Sequence, residues 1–467
     1  MALKPHFLSI AIALLASILL TNSVEAAAKP GPWIIVANPN SPLDAQGQNL
    51  NISDPNSGIT ATRVDSSKRT TRWYTFANWA NPSAGATASS VLDFTLDTKH
   101  NKIYWIDEYG ISVGKIGGCT SASNCGQQLY SNAELGTETG DKNLSGLGID
   151  TAHGRLFVGV WDQSANYFTI KQVGMSRNVA SIRELTSAGH IPDGSGIGSI
   201  VYFQDKIYWT QATSWGLHSG LMYASTIDES YGVIAGGPDE GAFVNEIWGL
   251  AIDRDTRKVY WANWTGPDSG VGSIGAALLD LPNSANLYIT TSNCWSNSNI
   301  FLSGPSGVAY DFHTKRVTWG NWNYTQSGNP GSARVDRANK SCQLVETNQS
   351  SIPAGDTPYS YGQTGAVAYL YQPELKKAAK VTFKTKTHAL LSCDATFADD
   401  RAEARLFMAP SSLTYKWAYN GAKVAGSNSK LRAKKSGNYS CSITAKNFAG
   451  SISTSSARVF VSAQQAK

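Results

Sequence analysis

A repeat of just over fifty residues runs through most of this 467-residue chain. Each copy has a short apolar segment, a turn that begins near Asp and ends at Lys or Arg, and a β-branched and aromatic segment. A clear copy is Leu250-Ala-Ile-Asp253 followed by Lys258-Val-Tyr-Trp261. The last positions of five such copies are 105, 158, 209, 261 and 319, spaced by 53, 51, 52 and 58 residues. A fixed period of this length indicates a repeat architecture.

Each repeat unit has the features of a small antiparallel sheet rather than of helices. Charged residues make up only 16% of the chain, whereas the chain contains 43 Gly, 14 Trp and 20 Tyr residues. This mixture favours short strands and tight turns. One four-stranded unit cannot bury both of its faces, and radial stacking of such units gives a β-propeller. The sequence therefore predicts an all-β fold.

The two ends of the repeat region complete each other. Gly365-Ala-Val-Ala-Tyr369 supplies only a first strand, and Trp33-Ile-Ile-Val-Ala-Asn38 is similar to Val259-Tyr-Trp-Ala-Asn263. A ring closed by strands from both ends leaves no open sheet edge between its first and last blades. We predict a six-bladed β-propeller over residues 27–373, closed by strands from both ends. A seventh blade within residues 44–85 is the alternative, because Asn78-Trp79 repeats an Asn-Trp pair.

Several copies resemble a known repeat family. Ile207-Tyr-Trp-Thr210 and Ile103-Tyr-Trp-Ile-Asp107 look like the YWTD repeats of low-density-lipoprotein-receptor-type six-bladed propellers. The resemblance extends from Trp33 to Gln372 and departs at Phe157-Val158 and at Thr318, which replace the aromatic residues of the motif. It implies a six-bladed ring.

The residues from Glu374 onward have a different signature. Cys393, Trp417 and Cys441 follow the order of an immunoglobulin-like sandwich, and Tyr439 stands two residues before the second Cys, as in a tyrosine corner. This part contains 16 basic and 5 acidic side chains, against 23 basic and 29 acidic upstream. We predict a C-terminal immunoglobulin-like β-sandwich over residues 374–467. Its basic surface could contact anionic cell-surface polymers, or it could simply be solvated.

The N-terminus and the cysteines point to export. Residues 1–26 combine Lys4, an apolar run from Leu8 to Leu20 and a cleavage-like Val24-Glu25-Ala26, which predicts a removed signal peptide and no integral membrane anchor. We expect a secreted or periplasmic protein. Six cysteines in plausible local pairs fit an oxidising compartment. The predicted pairs are Cys119 with Cys125, Cys294 with Cys342, and Cys393 with Cys441.

A recurring set of polar and aromatic residues marks one end of the predicted sheets. The residues two positions after the aligned ones are mostly polar, namely Asn38, Asp107, Val160, Gln211, Asn263 and Asn321. Aromatic residues follow shortly after, and aromatic rings beside amides suit a sugar face or a peptide. Structural roles are the alternative, as partners of the main chain or as packing between blades. The predicted ligand-binding residues are Tyr109, Trp161, Trp215, Trp264, Trp322, Asn263 and Asn321.

The favoured hypothesis is a non-enzymatic binding or adhesion protein for a cell-surface glycan or an extracellular protein. The net charge of +5 gives no reason to expect a nucleic-acid partner. The alternative is a calcium-dependent, lactonase-like propeller hydrolase, because oxygen ligands on converging strands suit Ca²⁺. We expect no cofactor under the first hypothesis and calcium under the second. The candidate calcium ligands are Glu246, Asn263, Asn321 and Asp107.

Overall fold

The structure is a computed structural model, and almost all of its regular elements are strands. It describes residues 31–38, 58–64, 70–75, 91–118, 126–137, 144–162, 164, 166–185, 191–192, 195–213, 220–228, 230–236, 244, 247–264, 272–281, 284–290, 295–296, 299–300, 302, 304–321, 330–335, 342–344, 365–385 and 389–466.

Strands from the two ends of the repeat region form one sheet. Its members are β1 (Trp33–Asn38), β2 (Gly58–Arg63), β3 (Thr70–Thr75) and β27 (Val367–Leu370). Strand β27 pairs antiparallel with β1, so these four strands stand in the order β3-β2-β1-β27, and a fifth strand from the C-terminal residues adds to β27.

The strands between these ends form consecutive antiparallel sheets, each of which runs outward in chain order. The first has β4 (Asp93–Asp97), β5 (Lys102–Asp107), β6 (Gly110–Lys115) and β7 (Gln127–Ser131), followed by the short helix α1 (Asn132–Leu135). The second has β8 (Leu144–Asp150), β9 (Arg155–Asp162), β10 (Tyr167–Gly174) and β11 (Arg183–Glu184), with β12 (Ile191–Pro192) also paired to β10. A 3₁₀ turn spans Val179–Ser181.

Three further sheets follow the same plan. The third sheet has β13 (Ser195–Phe203), β14 (Lys206–Thr213), β15 (Gly220–Ser225) and β16 (Tyr231–Gly236), and the fourth has β17 (Ile247–Asp253), β18 (Lys258–Asn263), β19 (Ser273–Leu278) and β20 (Asn286–Thr290). A short hairpin of β21 (Trp295–Ser296) and β22 (Asn299–Ile300) follows. The fifth sheet has β23 (Pro305–Asp311), β24 (Arg316–Asn321), β25 (Gly331–Arg334) and β26 (Gln343–Leu344). The first strands of neighbouring sheets contact one another, from β4 to β8, β13, β17, β23 and β27. Four-stranded antiparallel sheets stacked by their first strands are a β-propeller.

The repeated tryptophans form the core between these sheets. Trp105, Trp209, Trp261 and Trp319 each expose at most 1% of their surface. Trp261 lies opposite Gly275 on the next strand, and a Cβ atom on that glycine would stand 2.2 Å from the indole. Glycine is therefore required there, because the ring occupies the space above it.

The Asp turns between first and second strands are built alike. Asp253 Oδ1 accepts a hydrogen bond from the Asp255 N–H at 3.1 Å, and Asp253 Oδ2 accepts one from Thr256 Oγ1 at 2.6 Å. Asp311 Oδ1 accepts the His313 N–H at 3.0 Å. These carboxylates close Asx turns, as the sequence pattern predicts. We call the end of the sheets that carries these turns the turn end.

The C-terminal residues form two antiparallel sheets that pack face to face. One has β28 (Leu375–Thr385), β29 (Leu390–Phe397) and β33 (Lys430–Arg432). The other has β31 (Ser412–Tyr419), β32 (Ala422–Val424), β34 (Gly437–Asn447), β35 (Gly450–Ser455) and β36 (Val459–Val461). We call this unit the sandwich. Between β29 and β31 lie a 3₁₀ turn (Ala402–Ala404) and β30 (Leu406–Phe407), which leaves the sandwich and pairs parallel with β27.

A disulfide joins the two sheets of the sandwich. It links Cys393 to Cys441, as predicted, and Trp417 packs in the same core. Cys342 is also disulfide-bonded. The predicted partner of Cys342, Cys294, and the predicted pair Cys119 and Cys125 lie outside the described residues.

Candidate functional site

The ends of the second strands, opposite the turn end, carry the candidate site, and we call this end the loop face. The side chains of two of its predicted polar residues form hydrogen bonds within their own sheets. Asp107 Oδ2 accepts the Trp105 Nε1–H at 3.2 Å, and Asp107 Oδ1 accepts the Tyr109 N–H at 2.9 Å. Asn263 Oδ1 accepts the Trp261 Nε1–H at 3.1 Å, and Asn263 Nδ2 donates to Ser273 Oγ at 2.9 Å.

Three further residues at this repeat position are buried as well. Asn321 exposes 3% of its surface, Val160 1% and Gln211 8%. Asn38 lies in β1, and its side chain is outside the description. Polar side chains buried to this extent form hydrogen bonds within the fold, because a buried polar atom without a partner destabilises it.

Replacing Asn263 by Ala is expected to lower the free energy of unfolding by about 1–3 kcal/mol, because it removes the buried hydrogen bonds of Asn263 with the Trp261 Nε1–H and with Ser273 Oγ. Gln211 provides a matched control at the same repeat position, since the Nε1 of its neighbour Trp209 already has no hydrogen-bond partner among the described residues. Gln211→Ala should therefore change stability by less than about 1 kcal/mol. Urea unfolding of both variants measures the difference, and equal losses would contradict the assigned role of Asn263.

The aromatic residues at the loop face differ in exposure. Tyr109 exposes 37% of its surface. Burial of the rest raises the pKa of its hydroxyl, and the neighbouring Glu108 carboxylate raises it further, so the group stays protonated at neutral pH. Trp161 is half-buried and packs against Phe168 on the paired strand, with ring centroids 4.9 Å apart. Trp215 and Trp322 lie outside the described residues.

Trp264 has an aromatic neighbour that the repeat alignment does not single out as a site residue. Its ring lies 6.4 Å from that of Trp248, with an angle of 58° between the planes. Trp248 is at the start of the first strand β17, exposes 40% of its surface, and accepts a hydrogen bond from Thr210 Oγ1 through its carbonyl oxygen. We call these two residues the tryptophan pair.

The turn end of the propeller is in contact with residues 398–409, the segment between β29 and β31 of the sandwich. Thr98 Oγ1 donates to the Asp400 carboxylate at 2.7 Å, and Arg401 Nη1 donates to Asp255 Oδ2 at 2.7 Å. The Arg401 guanidinium also lies 3.8 Å from the centre of the Phe312 ring. We call residues 398–409 the inserted segment.

The side chain of Arg405 reaches from the inserted segment to the centre of the propeller. Its guanidinium makes a bidentate ion pair with Asp93, with both N–O distances 2.8 Å, and Nη2 also donates to Ser199 Oγ at 2.8 Å. Asp93 and Ser199 belong to the first strands β4 and β13, which are separated by the sheet of β8. A side chain that reaches two non-adjacent first strands must lie where the first strands converge.

Apolar side chains of the inserted segment complete the propeller core. Ala404, Leu406 and Met408 pack in one core cluster with residues of β17, β23 and β27, and Phe407 packs in another cluster with Trp33 and Trp73. All residues from 403 to 409 are buried. The turn end is thus occupied by the chain itself.

A second loop of the sandwich supports this contact. Phe448, in the turn between β34 and β35, lies with its ring centre 5.3 Å from that of Trp33 and 5.1 Å from that of Trp73. Gly117 has a φ of 98°, and a Cβ atom there would stand 2.6 Å from the Phe448 ring. Asn447 Nδ2 donates to the Tyr371 carbonyl oxygen at 2.7 Å.

The described residues contain no group of three or more His, Cys, Asp or Glu side chains arranged to hold a metal ion. Of the candidate calcium ligands, Asp107 and Asn263 are engaged as given above, Asn321 is buried, and Glu246 lies outside the description. Among the helices in the described part of the chain, none has the length and apolar content needed to span a bilayer.

Comparisons with known proteins give likenesses of structure only. The sequence matches no protein-family model and none of the curated proteins. A chain of a nidogen/laminin complex aligns with a TM-score of 0.46 and 11% identity over 72% of this chain and 97% of its own length. TolB from Acinetobacter baumannii aligns with a TM-score of 0.46 and 10% identity over 73% and 66%. A gluconolactonase from Xanthomonas campestris aligns with a TM-score of 0.38 and 12% identity over 80% and 96%.

Proposed function

We propose that this protein is an exported, non-enzymatic binding protein that recognises a carbohydrate or protein ligand through the loop face of a six-bladed propeller. The observation that carries the proposal is the tryptophan pair. Two large rings that are both incompletely buried, at an angle to each other and at the same end of one sheet, offer apolar area that a sugar ring or a peptide side chain can cover.

The six-bladed ring closed by strands from both ends, over residues 27–373, is supported by the pairing of β1 with β27. Side chains of that sheet share one core cluster with β4 and β5 and another with β23 and β24. The sheet thus has packed neighbours on both faces, as a blade in a closed ring requires.

The immunoglobulin-like assignment of residues 374–467 is supported by three features of the sandwich. The disulfide crosses between the two sheets, Trp417 is buried beside it, and the Tyr439 hydroxyl donates to the Lys435 carbonyl oxygen at 3.0 Å. The last of these is the hydrogen bond expected of a tyrosine corner. The disulfide also supports export, because such bonds persist in oxidising compartments.

The position of the inserted segment supports the loop face as the recognition surface. Asp400 and Arg401 of this segment bond to residues at the turn end, and Arg405 fills the space between the first strands. A ligand that approached the turn end would therefore contact the inserted segment rather than the ends of the propeller strands. The loop face carries the tryptophan pair and Tyr109 in partly exposed positions.

Replacing both members of the tryptophan pair by Ala is expected to weaken ligand binding by about thirtyfold or more, because even one aromatic anchor that the ligand buries contributes about 2 kcal/mol or more to an interface and such contributions are not additive. A thermal-shift screen of residues 27–467 against glycans and extracellular proteins identifies the ligand, since a ligand that binds the folded state raises the melting temperature. Tyr231→Ala is the control, because Tyr231 exposes 70% of its surface on the outer strand β16.

The screen also tests the alternative hydrolase hypothesis. A ligand-induced shift that persists in the Trp248→Ala/Trp264→Ala variant would contradict the proposal. Turnover of a lactone or ester panel that EDTA abolishes would replace the binding protein by the calcium-dependent enzyme.

A further inference from the structure

The outward face of the sheet β28-β29-β33 collects positive charge on its two outer strands. Val381 and Leu431 point into the sandwich core, so their chain neighbours on β28 and β33 point outward. The outward positions on these two strands include four exposed cations, which we call the basic face: Lys380, Lys384, Lys430 and Arg432.

The basic face has little compensating charge. Its one outward acidic residue on these strands is Asp394, which lies opposite Lys380. None of the four cations makes a salt bridge to any residue that the structure describes. The two rows of like charge are close enough to repel each other weakly, since the Debye length at physiological salt is about 8 Å, and an anion placed between them would relieve that repulsion.

The geometry of the basic face suits an extended chain of anions. Strand β29 lies between β28 and β33, so the two rows of cations are about 9–10 Å apart. Lys380 and Lys384 are separated by about 13 Å along their strand, at about 3.3 Å per residue. Between the rows lies β29, whose small residue Ser392 is buried and pairs with Thr382 on one side and Lys430 on the other.

The docking of the sandwich leaves this face exposed. The loops at one end of the sandwich, residues 398–409 and the turn at Phe448, are occupied by the propeller. The four cations of the basic face are exposed in the same structure. The sandwich therefore presents its sheet faces, rather than that end, to other molecules.

We propose that the basic face binds an anionic polysaccharide whose carboxylate or sulfate groups lie between the two rows of cations. The outward positions described on these three strands carry no aromatic ring, whereas single-stranded nucleic acids are held by stacking on aromatic side chains as well as by cations. A membrane-binding surface combines cations with large inserted apolar side chains, and here the outward apolar residues are the half-buried Leu390 and the small Ala378. The proposal concerns the sandwich and does not depend on the loop face.

The test compares two charge reversals that change the net charge equally. Lys380→Glu/Lys430→Glu alters the basic face, and Lys416→Glu/Lys446→Glu alters exposed lysines on the outward face of the other sheet. Binding of the chain from residue 27 to 467 to heparin, polygalacturonate and neutral dextran is measured by calorimetry at low salt. We expect the first variant to bind the preferred polyanion at least tenfold more weakly and the second less than threefold more weakly, with no binding of dextran.

Unchanged melting temperatures in both variants show that the comparison reports on the surface. Binding that weakens equally in both variants would overturn the proposal, because bulk charge alone would then explain it. Absence of binding to both polyanions would also overturn it. So would tighter binding to single-stranded DNA or to phosphatidylglycerol vesicles than to either polysaccharide.

Discussion

Arg405→Met is expected to lower the free energy of unfolding by about 3–5 kcal/mol, one of the largest effects of any single substitution in this chain. The substitution keeps the apolar stem and removes the guanidinium, so the Asp93 carboxylate, which is 2% exposed, loses its counter-ion. An unpaired charge in such a place is far more costly than the loss of an ion pair at the surface. Urea unfolding followed by tryptophan fluorescence measures the change.

Arg257 provides the control for this prediction. Its guanidinium pairs with Asp280, whose side chain is 61% exposed, so Arg257→Met should cost no more than about 1 kcal/mol. Adding Asp93→Asn to Arg405→Met should restore part of the stability, because it removes the orphaned charge. A loss of less than about 1 kcal/mol in Arg405→Met would contradict the buried position of this pair.

Ending the chain at residue 373 is expected to prevent the propeller from folding stably. Burial of Leu406, Phe407 and Met408 contributes about 1.5–3 kcal/mol per side chain. With the Arg405 ion pair, the loss is similar to the whole stability of a typical domain, about 5–15 kcal/mol. The shortened protein should bind a hydrophobic dye and show no cooperative thermal transition.

Fragment complementation controls for a general effect of truncation. Adding the purified piece of residues 374–467 to the piece of residues 27–373 should restore a cooperative transition, since the inserted segment then has its binding site available. A shortened chain that melts cooperatively at the temperature of the intact protein would contradict the structural role of the inserted segment.

Much of the propeller could be predicted from the sequence because its repeat fixes local chemistry. The Asp that ends four of the first strands closes the turn that follows it, and the aligned tryptophans fill the space between sheets. A pattern in the chain thus corresponds directly to a contact. The disulfide of the sandwich follows in the same way from the order of Cys393, Trp417 and Cys441. Such features depend on residues a short distance apart in the sequence or in a recurring unit.

The inserted segment could not be predicted, because its partners lie hundreds of residues away. Arg405 and Asp93 are 312 residues apart, and neither belongs to a recurring pattern. The one local signal is the apolar run Leu406-Phe407-Met408 inside a stretch that would otherwise be a polar loop of the sandwich. The predicted boundary at residue 374 assigns all later residues to the sandwich, whereas side chains of the inserted segment pack in the propeller core.

The candidate site could be predicted only in part, because the repeat pattern identifies residues that recur and passes over a residue that occurs in one copy. Trp248 occupies a repeat position at which Ser306 stands in the next copy, and this departure from the repeat is the signal that points to it. Asn263 and the equivalent Asp107 follow the repeat, and they are engaged in bonds within their own sheets. In this chain, the residues that follow the repeat maintain the fold, and residues that break it are better candidates for function.

Hydrogen exchange of the protein with and without its ligand tests most directly whether the loop face is the recognition surface. We expect ligand-dependent protection in peptides that contain Trp248, Trp264 and Tyr109, because these residues lie at the loop face. The turn end should show the same exchange in both states, since the inserted segment already covers it. Protection confined to the turns at Asp97, Asp253 and Asp311 would contradict the account.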